Sequence, residues 1–200
     1  RLGSKWYYSV NNFSDYYADN IRIEDARMIF DYTNTNNNRI NNLELLLAGK
    51  HNVCNTLAAL AVCDELMKDE DFNSGNIKEA LCNFHGVRRR FDIRINTQEI
   101  VFVDDYAHHP TEVKSTIRAT KEFFPKRNLT VVFQPHLFTR TRDFANDFAW
   151  SLSQADKLIL LDIYPAREAP ILGVDSKMLF NLCKNSNKEL CSKNELLNRC

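Results

Sequence analysis

The chain has 200 residues, 44% of them hydrophobic and 26% charged, which is enough for one ordinary domain or two small ones with real cores. Its 26 basic and 26 acidic residues cancel, so no overall field favours nucleic acid or an anionic membrane. We therefore expect no nucleic-acid partner, and any phosphate binding must come from local placement of Arg and Lys.

Cysteine usage and the ends of the chain bear on its location. Six cysteines without a CxxC pair indicate free thiols in a reducing compartment, packed as small buried hydrophobes. There is no charged-then-apolar leader and no apolar run of about 18 residues, which predicts a soluble cytoplasmic protein without membrane insertion. The chain starts without Met and neither terminus carries a cap signal, so we expect a truncated fragment.

The first 85 residues are predicted to form a small antiparallel sheet followed by helices. Short alternating segments between Asn and Asp turns predict strands, and the Ala- and Leu-rich stretch after them has helical spacing. The predicted strands are residues 7–10, 19–24, 26–32 and 43–47, with an Asn-rich loop in 34–42, and the predicted helices are 52–67 and 77–84. Gly86 can supply the positive φ that ends the second helix, and we place a domain boundary near His85.

Strands and helices alternate in the rest of the chain. The pattern predicts a hairpin of residues 91–96 and 99–103, then strands at 129–134 and 157–162 and helices at 111–124, 142–153 and 176–183. Such alternation implies a mostly parallel sheet and an α/β fold class. Each predicted strand ends in polar residues, so three strand ends are expected to face one crevice, where open α/β sheets bind ligands.

The densest functional pattern is residues 104–112, DDYAHHPTE, which places carboxylates, a phenol and two imidazoles between an apolar strand and a helix. Pro110 suits the first helical turn because its missing N–H would have no partner there. The alternative is a simple turn with a cap.

A second pattern opens the first helix. Residues 49–55, GKHNVCN, lie at the start of the predicted helix. At a helix start the backbone N–H donors are free and the positive end of the helix dipole faces outwards, so an anion or a base edge can bind there. Asn52 and Asn55 share one helical face, and an Asn amide can donate and accept at once, as an adenine edge requires. The alternative is that Asn52 is only an N-cap.

Two further patterns supply cations. Arg88, Arg89 and Arg90 precede a strand, and because strand side chains alternate we select Arg90 as the one that points into a site. Residues 134–142, QPHLFTRTR, place His136 and Arg140 after a buried strand, where they can grip an anionic group. Ordinary surface pairs of the arginines with Asp143 or Asp147 are the alternative.

The same polar residues include a candidate metal-binding set. Asp104, Asp105, His108, His109 and His136 are a candidate metal set for a hydrolase, although their spacing does not put two ligands on one face. No GxxxxGK[ST], GxGxxG or GxSxG pattern occurs in the chain.

In order and spacing, five segments resemble the Mur ligase family: GKHNVCN (49–55), GVRRRFD (86–92), DDYAHHPTE (104–112), QPHLFTRT (134–141) and DIYPARE (162–168). The resemblance implies the end of a central ATP-binding domain in residues 1–85 and a Rossmann-like ligase domain in residues 86–200. It implies an ATP-dependent ligase of peptidoglycan synthesis that joins L-alanine to UDP-N-acetylmuramate through an acyl phosphate. The phosphate loop and the Mg²⁺ ligands are then expected outside this chain.

The resemblance also implies residue roles. Asn52, Asn55, Arg90 and Asp105 match positions that contact the nucleotide. Tyr106, His108, His136 and Arg140 match positions around the amino acid and the transferred phosphoryl group, and we assign catalysis to the last three. Leu137 stands where many relatives carry a second Arg, which puts substrate affinity in doubt. A stand-alone nucleotide-binding module without chemistry remains the alternative.

Overall fold

The computed structural model describes residues 5–67 and 73–196. The chain divides into two compact units, Arg1–Asp104 and Asp105–Cys200. Each unit is built around its own sheet, as the α/β fold class predicts.

The first unit contains a four-stranded sheet, two helices and a two-stranded ribbon. Its elements are β1 (Tyr8–Ser9), β2 (Tyr16–Glu24), β3 (Arg27–Thr33), β4 (Arg39–Leu45), α1 (Lys50–Leu66), α2 (Ser74–Asn83), β5 (Asp92–Asn96) and β6 (Val101–Asp104). The predicted antiparallel arrangement is confirmed for β2, β3 and β4, while the short β1 pairs with β2 in parallel. The predicted hairpin is the β5–β6 ribbon.

The core of the first unit lies where α1 contacts the sheet. Val53 and Leu57 on one face of α1 are fully buried, and so are Tyr16 on β2 and Phe30 on β3, two strands that α1 contacts. This burial of one apolar stripe against a sheet supplies most of a helix's stability, at about 25 cal/mol for each Å² removed from water.

The second helix ends earlier than the sequence predicts. α2 finishes at Asn83 with Phe84 as its C-cap, so Gly86 lies beyond the helix and does not end it. Gly86 does adopt φ +82°, and a Cβ there would run into the Leu47 side chain. The backbone angle therefore favours glycine at this position, and a Cβ there would also force the Leu47 side chain to shift.

The second unit contains the parallel sheet. Its elements are α3 (Pro110–Phe123), β7 (Thr130–Phe133), α4 (Phe138–Asp143), α5 (Ala145–Leu152), β8 (Lys157–Leu161), α6 (Ser176–Leu182) and β9 (Lys188–Cys191). The strand order is β7-β8-β9, and both pairings are parallel. The central strand β8 is a continuous apolar run, as expected of a strand covered on both faces, and Leu158, Ile159 and Leu160 are fully buried.

Two predictions in this unit need correction. The single helix predicted over 142–153 is two helices, α4 and α5, because the chain breaks at Phe144 and helical backbone starts already at Phe138. Strand β9 was not predicted, since KELC is short and half charged and reads as a polar loop. Lys188 in β9 donates to the carbonyls of Phe180 and Cys183 at the end of α6, which satisfies acceptors that the helix leaves open.

The position of the β5–β6 ribbon bears on the predicted domain boundary. The β5–β6 ribbon clusters with the first unit, whereas the boundary predicted after residue 85 assigned it to the second; that boundary stays a prediction.

The five cysteines in the described ranges are free, and Cys183 and Cys191 are buried, but Cys63 is exposed against expectation. In residues 5–67 and 73–196, no helix is both long and apolar enough to cross a membrane.

Candidate active site

Polar side chains gather beyond the carboxyl ends of β7 and β8. The chain continues past both strands so that His136 and Tyr164 form an isolated parallel bridge. The Leu137 N–H donates to the Tyr164 carbonyl at 2.9 Å, and the Tyr164 N–H donates to the Pro135 carbonyl at 2.8 Å. Two of the three predicted strand ends therefore meet at one edge, while the third, β6, belongs to the separate ribbon.

His136 and Arg140 are in direct contact at this edge. Nη1 of Arg140 lies 3.4 Å from Nδ1 of His136. A guanidinium can only donate, so Nδ1 of His136 accepts, and in the neutral ring the proton sits on Nε2. His136 therefore presents an N–H donor on its far side.

His108 is brought next to His136 and has the opposite tautomer. The two ring centroids are 6.3 Å apart. Nδ1 of His108 lies 2.8 Å from the Tyr106 carbonyl, which can only accept, so Nδ1 carries the proton and Nε2 keeps its lone pair. The Glu112 carboxylate lies 3.5 Å from the same Nδ1.

The Tyr106 ring extends the row of aromatic rings. It is 48% exposed and contacts the His108 imidazole edge to face, with centroids 5.1 Å apart. The row Tyr106, His108, His136, Tyr164 thus lines the edge of the sheet, with Arg140 beside it.

His109, the neighbour of His108, caps the start of α3. Its Nδ1 accepts from the Thr111 N–H, and the Glu112 side chain accepts from the His109 N–H, which completes a capping box at the start of α3. Its ring packs against Phe144, with centroids 4.9 Å apart. The turn-and-cap alternative is therefore right for His109, while His108 faces His136.

The surroundings of His136 favour its neutral form. Burial lowers the pKa of His136 below its ordinary value, and the Arg140 guanidinium and the His108 ring lower it further. Glu168 acts in the opposite direction with a smaller effect. At neutral pH the ring is therefore an uncharged hydrogen-bond donor through Nε2.

One of the two arginines in residues 134–142 forms a surface ion pair, as the alternative interpretation predicted. Arg142 pairs with Asp143 at 2.8 Å, while Arg140 is half-buried and turns toward His136. Arg140 lies in α4 rather than in the loop that the sequence predicts, and Arg142, predicted to begin a helix, lies inside α4.

Asp105 lies at the start of the same segment. Its carboxylate accepts from the Ala107 N–H at 2.7 Å, an Asx turn that directs the chain toward His108. The contact of Asp105 with a nucleotide stays a prediction.

The first unit carries the other predicted nucleotide residues. Gly49, at φ +94°, is the N-cap of α1, so the N-cap alternative for Asn52 is wrong. The Asn52 amide donates to the Ala48 carbonyl at 2.8 Å, and Asn55 is exposed on the same helix. Both remain candidates for a base edge.

The reasoning that selected Arg90 fails, although the residue stays a candidate. Arg88, Arg89 and Arg90 lie in a turn closed by the Arg90 N–H and the Val87 carbonyl, so strand alternation does not apply to them. All three are exposed. Arg89 lies 3.9 Å from Asp104 across the ribbon.

Sequence reasoning assigned no role to three residues that the structure places at the site: Thr139, Tyr164 and Glu168. They lie in the polar segments QPHLFTRT and DIYPARE that follow predicted strands, so the sequence could have indicated that they lie near the site. Their pairing was not, because Thr139 and Glu168 are 29 positions apart.

A metal centre receives no support from the parts of the chain that are described. Within them, no group of three or more His, Cys, Asp or Glu side chains is placed to hold a metal ion. The candidate set of two Asp and three His therefore does not assemble.

Fold and site define the second unit as an open α/β domain that presents catalytic-type side chains at the carboxyl edge of a parallel sheet. Residues 89–196 match the family model described as "Mur ligase, glutamate ligase domain", and residues 2–63 match the "Mur ligase middle domain". The chain belongs to the Mur ligase family.

Two relatives with high identity carry the same name. The chain is 48% identical over 188 residues to a UDP-N-acetylmuramate–L-alanine ligase of Flavobacterium psychrophilum, covering 94% of this chain and 41% of that protein. It is 48% identical over 194 residues to a ligase of the same name from Parabacteroides distasonis, covering 96% and 41%. The chain thus spans about two fifths of the length of these relatives.

Solved structures share the fold. A UDP-N-acetylmuramate-alanine ligase from Thermotoga maritima superposes with a TM-score of 0.75 at 28% identity, covering 96% of this chain and 40% of that chain. A Mycobacterium tuberculosis folylpolyglutamate synthase complexed with ADP has a TM-score of 0.71 at 11% identity, covering 92% and 40%, which is a likeness of fold alone.

Proposed function

We propose that this chain acts in an ATP-dependent ligase that joins L-alanine to the lactyl carboxylate of UDP-N-acetylmuramate in peptidoglycan synthesis, a reaction of the cytoplasm. The name shared by the relatives supports this substrate pair. The observation that carries the proposal is the group formed by His108, His136 and Arg140 beyond the carboxyl ends of β7 and β8.

In this proposal Arg140 holds the amino acid by its carboxylate. A guanidinium suits this group because its parallel N–H donors match the two carboxylate oxygens. His136 supports the guanidinium through Nδ1 and, being neutral, does not repel the bound amino acid's ammonium group.

His108 is the proton acceptor. The amino group of L-alanine must lose a proton before it can attack, and the lone pair on Nε2 of His108 can take it. In the preceding step, a carboxylate oxygen of UDP-N-acetylmuramate attacks the γ-phosphorus of ATP and ADP leaves, which gives the acyl phosphate. The amine then forms the C–N bond at the acyl carbon and the C–O bond to phosphate breaks. Phosphate leaves with the electron pair and takes up the second proton that the nitrogen loses.

His136 contributes a hydrogen bond. Its Nε2–H can donate to an oxygen of the phosphoryl group as negative charge develops there, which lowers the barrier because the donor is already in place. Tyr106, half-exposed beside His108, shields the reacting groups from water on one side.

Nucleotide contacts are assigned to Asn52, Asn55, Arg90 and Asp105. In the first unit, the amide pair on one face of α1 suits a base edge and the Arg90 guanidinium suits a phosphate. In the second unit, the Asp105 carboxylate suits a ribose hydroxyl, which can donate to it. ATP is the nucleotide in this proposal. Mg²⁺ normally accompanies ATP in phosphoryl transfer. Within the described residues, no three or more His, Cys, Asp or Glu side chains are grouped to hold a metal ion, and no step here depends on one.

A chimera tests the proposal. This chain replaces the matched segment of the Flavobacterium psychrophilum ligase, and amide formation is measured with UDP-N-acetylmuramate, L-alanine and ATP. We expect ATP-dependent amide formation by the chimera. The 200-residue chain alone is the negative control, since its sequence has no GxxxxGK[ST] loop. ATP binding without amide formation by the chimera would instead support a nucleotide-binding module.

Single variants of the chimera test the roles. His108→Gln should lower kcat by about 10²-fold or more because the proton acceptor is lost. Arg140→Gln should raise KM for L-alanine by about 10-fold to 100-fold, the effect of losing charged hydrogen bonds. His109→Asn is the matched control, since Asn keeps the cap and kcat should stay close to that of the chimera. Full activity of His108→Gln would contradict the proton-acceptor role.

A further inference from the structure

The loop after β8 reaches back to the first turn of α4 through one carboxylate. Oε2 of Glu168 accepts from the Thr139 N–H at 2.9 Å, and Oε1 accepts from the Thr139 hydroxyl at 2.5 Å. One residue of α4 therefore engages both oxygens of Glu168, which fixes the direction of the carboxylate as well as its position. Hydrogen bonds to an ionised acceptor are stronger than neutral ones.

This contact supplies the hydrogen-bond acceptor that the N-cap residue of α4 lacks. The N-cap of α4 is Leu137, whose side chain cannot accept a hydrogen bond, and its backbone lies at φ +71°, a region that L residues rarely adopt. A short helix with an apolar cap and a strained cap residue is held in place by its surroundings. Glu168 supplies the missing acceptor from 29 residues further along the chain.

The helix held in this way carries Arg140. Arg140 lies two residues after Phe138, the first residue of α4, and reaches back to Nδ1 of His136. The loop that ends at Glu168 also carries Tyr164, whose ring stacks on His136 and whose backbone bonds to Leu137 and Pro135. A turn closed by the Glu168 N–H and the Pro165 carbonyl connects these two attachments.

The charges around Glu168 are consistent with an ionised carboxylate. Hydrogen bonds from Thr139 hold the pKa of Glu168 below its ordinary value, with a further contribution from Arg140. Arg142 and His136 also lie within electrostatic reach of it. A neutral amide in place of the carboxylate would lose one of the two acceptors and the attraction to the Arg140 and Arg142 guanidinium groups.

We propose that Glu168 is a positioning residue: by binding Thr139 it sets the orientation of α4, and with it the placement of the Arg140 guanidinium against His136. This role in amino-acid binding rests on the proposed function of Arg140. Glu168 acts through Thr139 and does not touch the substrate.

The first test uses the 200-residue chain and nitrogen NMR of the His136 ring. In the unmodified chain, Nδ1 should give the signal of an unprotonated nitrogen and Nε2 that of a protonated one. Glu168→Gln and Thr139→Val should move both signals toward the mixture of tautomers found in a free imidazole, because Arg140 no longer donates steadily to Nδ1. Thr139→Ser, which keeps the hydroxyl, should restore the original pattern.

The matched control is Glu122→Gln, the same exchange at an exposed glutamate that pairs with Arg118 within α3. It should leave the His136 signals unchanged. Thermal unfolding of every variant is followed in parallel, and if Glu168→Gln does not fold, the Thr139→Val and Thr139→Ser pair decides. A folded Glu168→Gln or Thr139→Val variant with the original tautomer overturns the proposal.

The second test uses the chimera and separates KM from kcat. Glu168→Gln should raise KM for L-alanine by about 10-fold to 100-fold, as expected when a binding group is misplaced, while KM for ATP stays the same. An unchanged KM for L-alanine overturns the role in binding. A chimera that forms no amide contradicts the proposed function, and the NMR test then still decides whether Glu168 positions Arg140 and His136.

Discussion

Tyr164 stacks on His136, with ring centroids 5.5 Å apart and an angle of 25° between the ring planes. The same two residues bridge through their backbones. The imidazole is therefore held between an aromatic ring and the Arg140 guanidinium, a tighter placement than a loop residue usually has.

This stacking leads to a prediction for Tyr164→Ala. Burial is the main cause of the lowered pKa of His136, and removal of the ring opens one face of the imidazole to water. The pKa of His136 should rise toward its ordinary value, which an NMR titration measures. Tyr164→Phe keeps the ring and should keep the low pKa. An unchanged pKa in Tyr164→Ala would show that other groups bury the imidazole.

Arg140→Gln should also raise the pKa of His136, but only in part. The guanidinium disfavours a second positive charge next to it, while burial remains in the variant. The folded state binds this proton less readily than the unfolded state, so the free energy of unfolding should fall as the pH drops below about 6.5. The fall should be smaller in Arg140→Gln than in the unmodified chain. An equal or steeper fall would contradict the conclusion that Arg140 lowers the pKa of His136.

The core of the second unit depends on β8. Leu158 is fully buried at the centre of the parallel sheet, so Leu158→Ala should cost about 2–5 kcal/mol of unfolding free energy through lost transfer energy and an unfilled cavity. Leu172 is fully exposed, and Leu172→Ala should change stability by less than about 0.5 kcal/mol. Urea unfolding of the two variants measures the difference, and equal effects would contradict this account of the core.

Two glycines with nearly the same backbone angle make a matched pair. Gly86 and Gly173 have φ of +82° and +79°, but a Cβ on Gly86 meets Leu47, whereas a Cβ on Gly173 meets nothing within 4 Å. Gly173→Ala should cost about 1 kcal/mol from backbone strain alone. Gly86→Ala should cost more, and the excess measures the Leu47 contact. Equal losses in thermal unfolding would mean that Leu47 moves aside freely.

A buried carboxylate links the strands of the first sheet. Asp31 accepts from the Arg39 guanidinium at 2.9 Å and from the Asn42 N–H at 2.8 Å. Burial by itself raises the pKa of Asp31, but hydrogen bonds from Asn42, Asn20 and Arg39 outweigh it and hold that pKa below 3.8.

Asp31→Asn should therefore cost about 2 kcal/mol at neutral pH, the usual effect of losing charged hydrogen bonds. The stabilisation by Asp31 is complete above the ordinary pKa and is lost as the pH falls through the lower folded value, so the variant should lose less stability in acid than the unmodified chain. Asp25→Asn, at an exposed turn, is the control. Acid unfolding curves of the three proteins are compared, and parallel curves for Asp31→Asn and the unmodified chain rule the account out.

Local patterns predicted most of the elements and missed those that depend on distant partners. The β5–β6 hairpin and the apolar strand β8 follow from alternation and from a continuous apolar run, both of which are local. The break at Phe144 and the start of α4 at Phe138 do not, because the acceptor at the start of α4 is Glu168, which lies 29 residues from its partner Thr139. Strand β9 forms by pairing with β8, so its charged sequence is a poor guide.

The candidate site divides in the same way. The sequence by itself determined which residue types stand at the strand ends, the family to which they belong, and the α/β alternation, since each depends only on the order and spacing of residues along the chain. Only the tertiary structure decided that His108 rather than His109 faces His136, which ring nitrogen of each carries the proton, and that Glu168 meets Thr139. Those outcomes depend on distances of a few ångströms between side chains far apart in sequence, and such distances follow from packing.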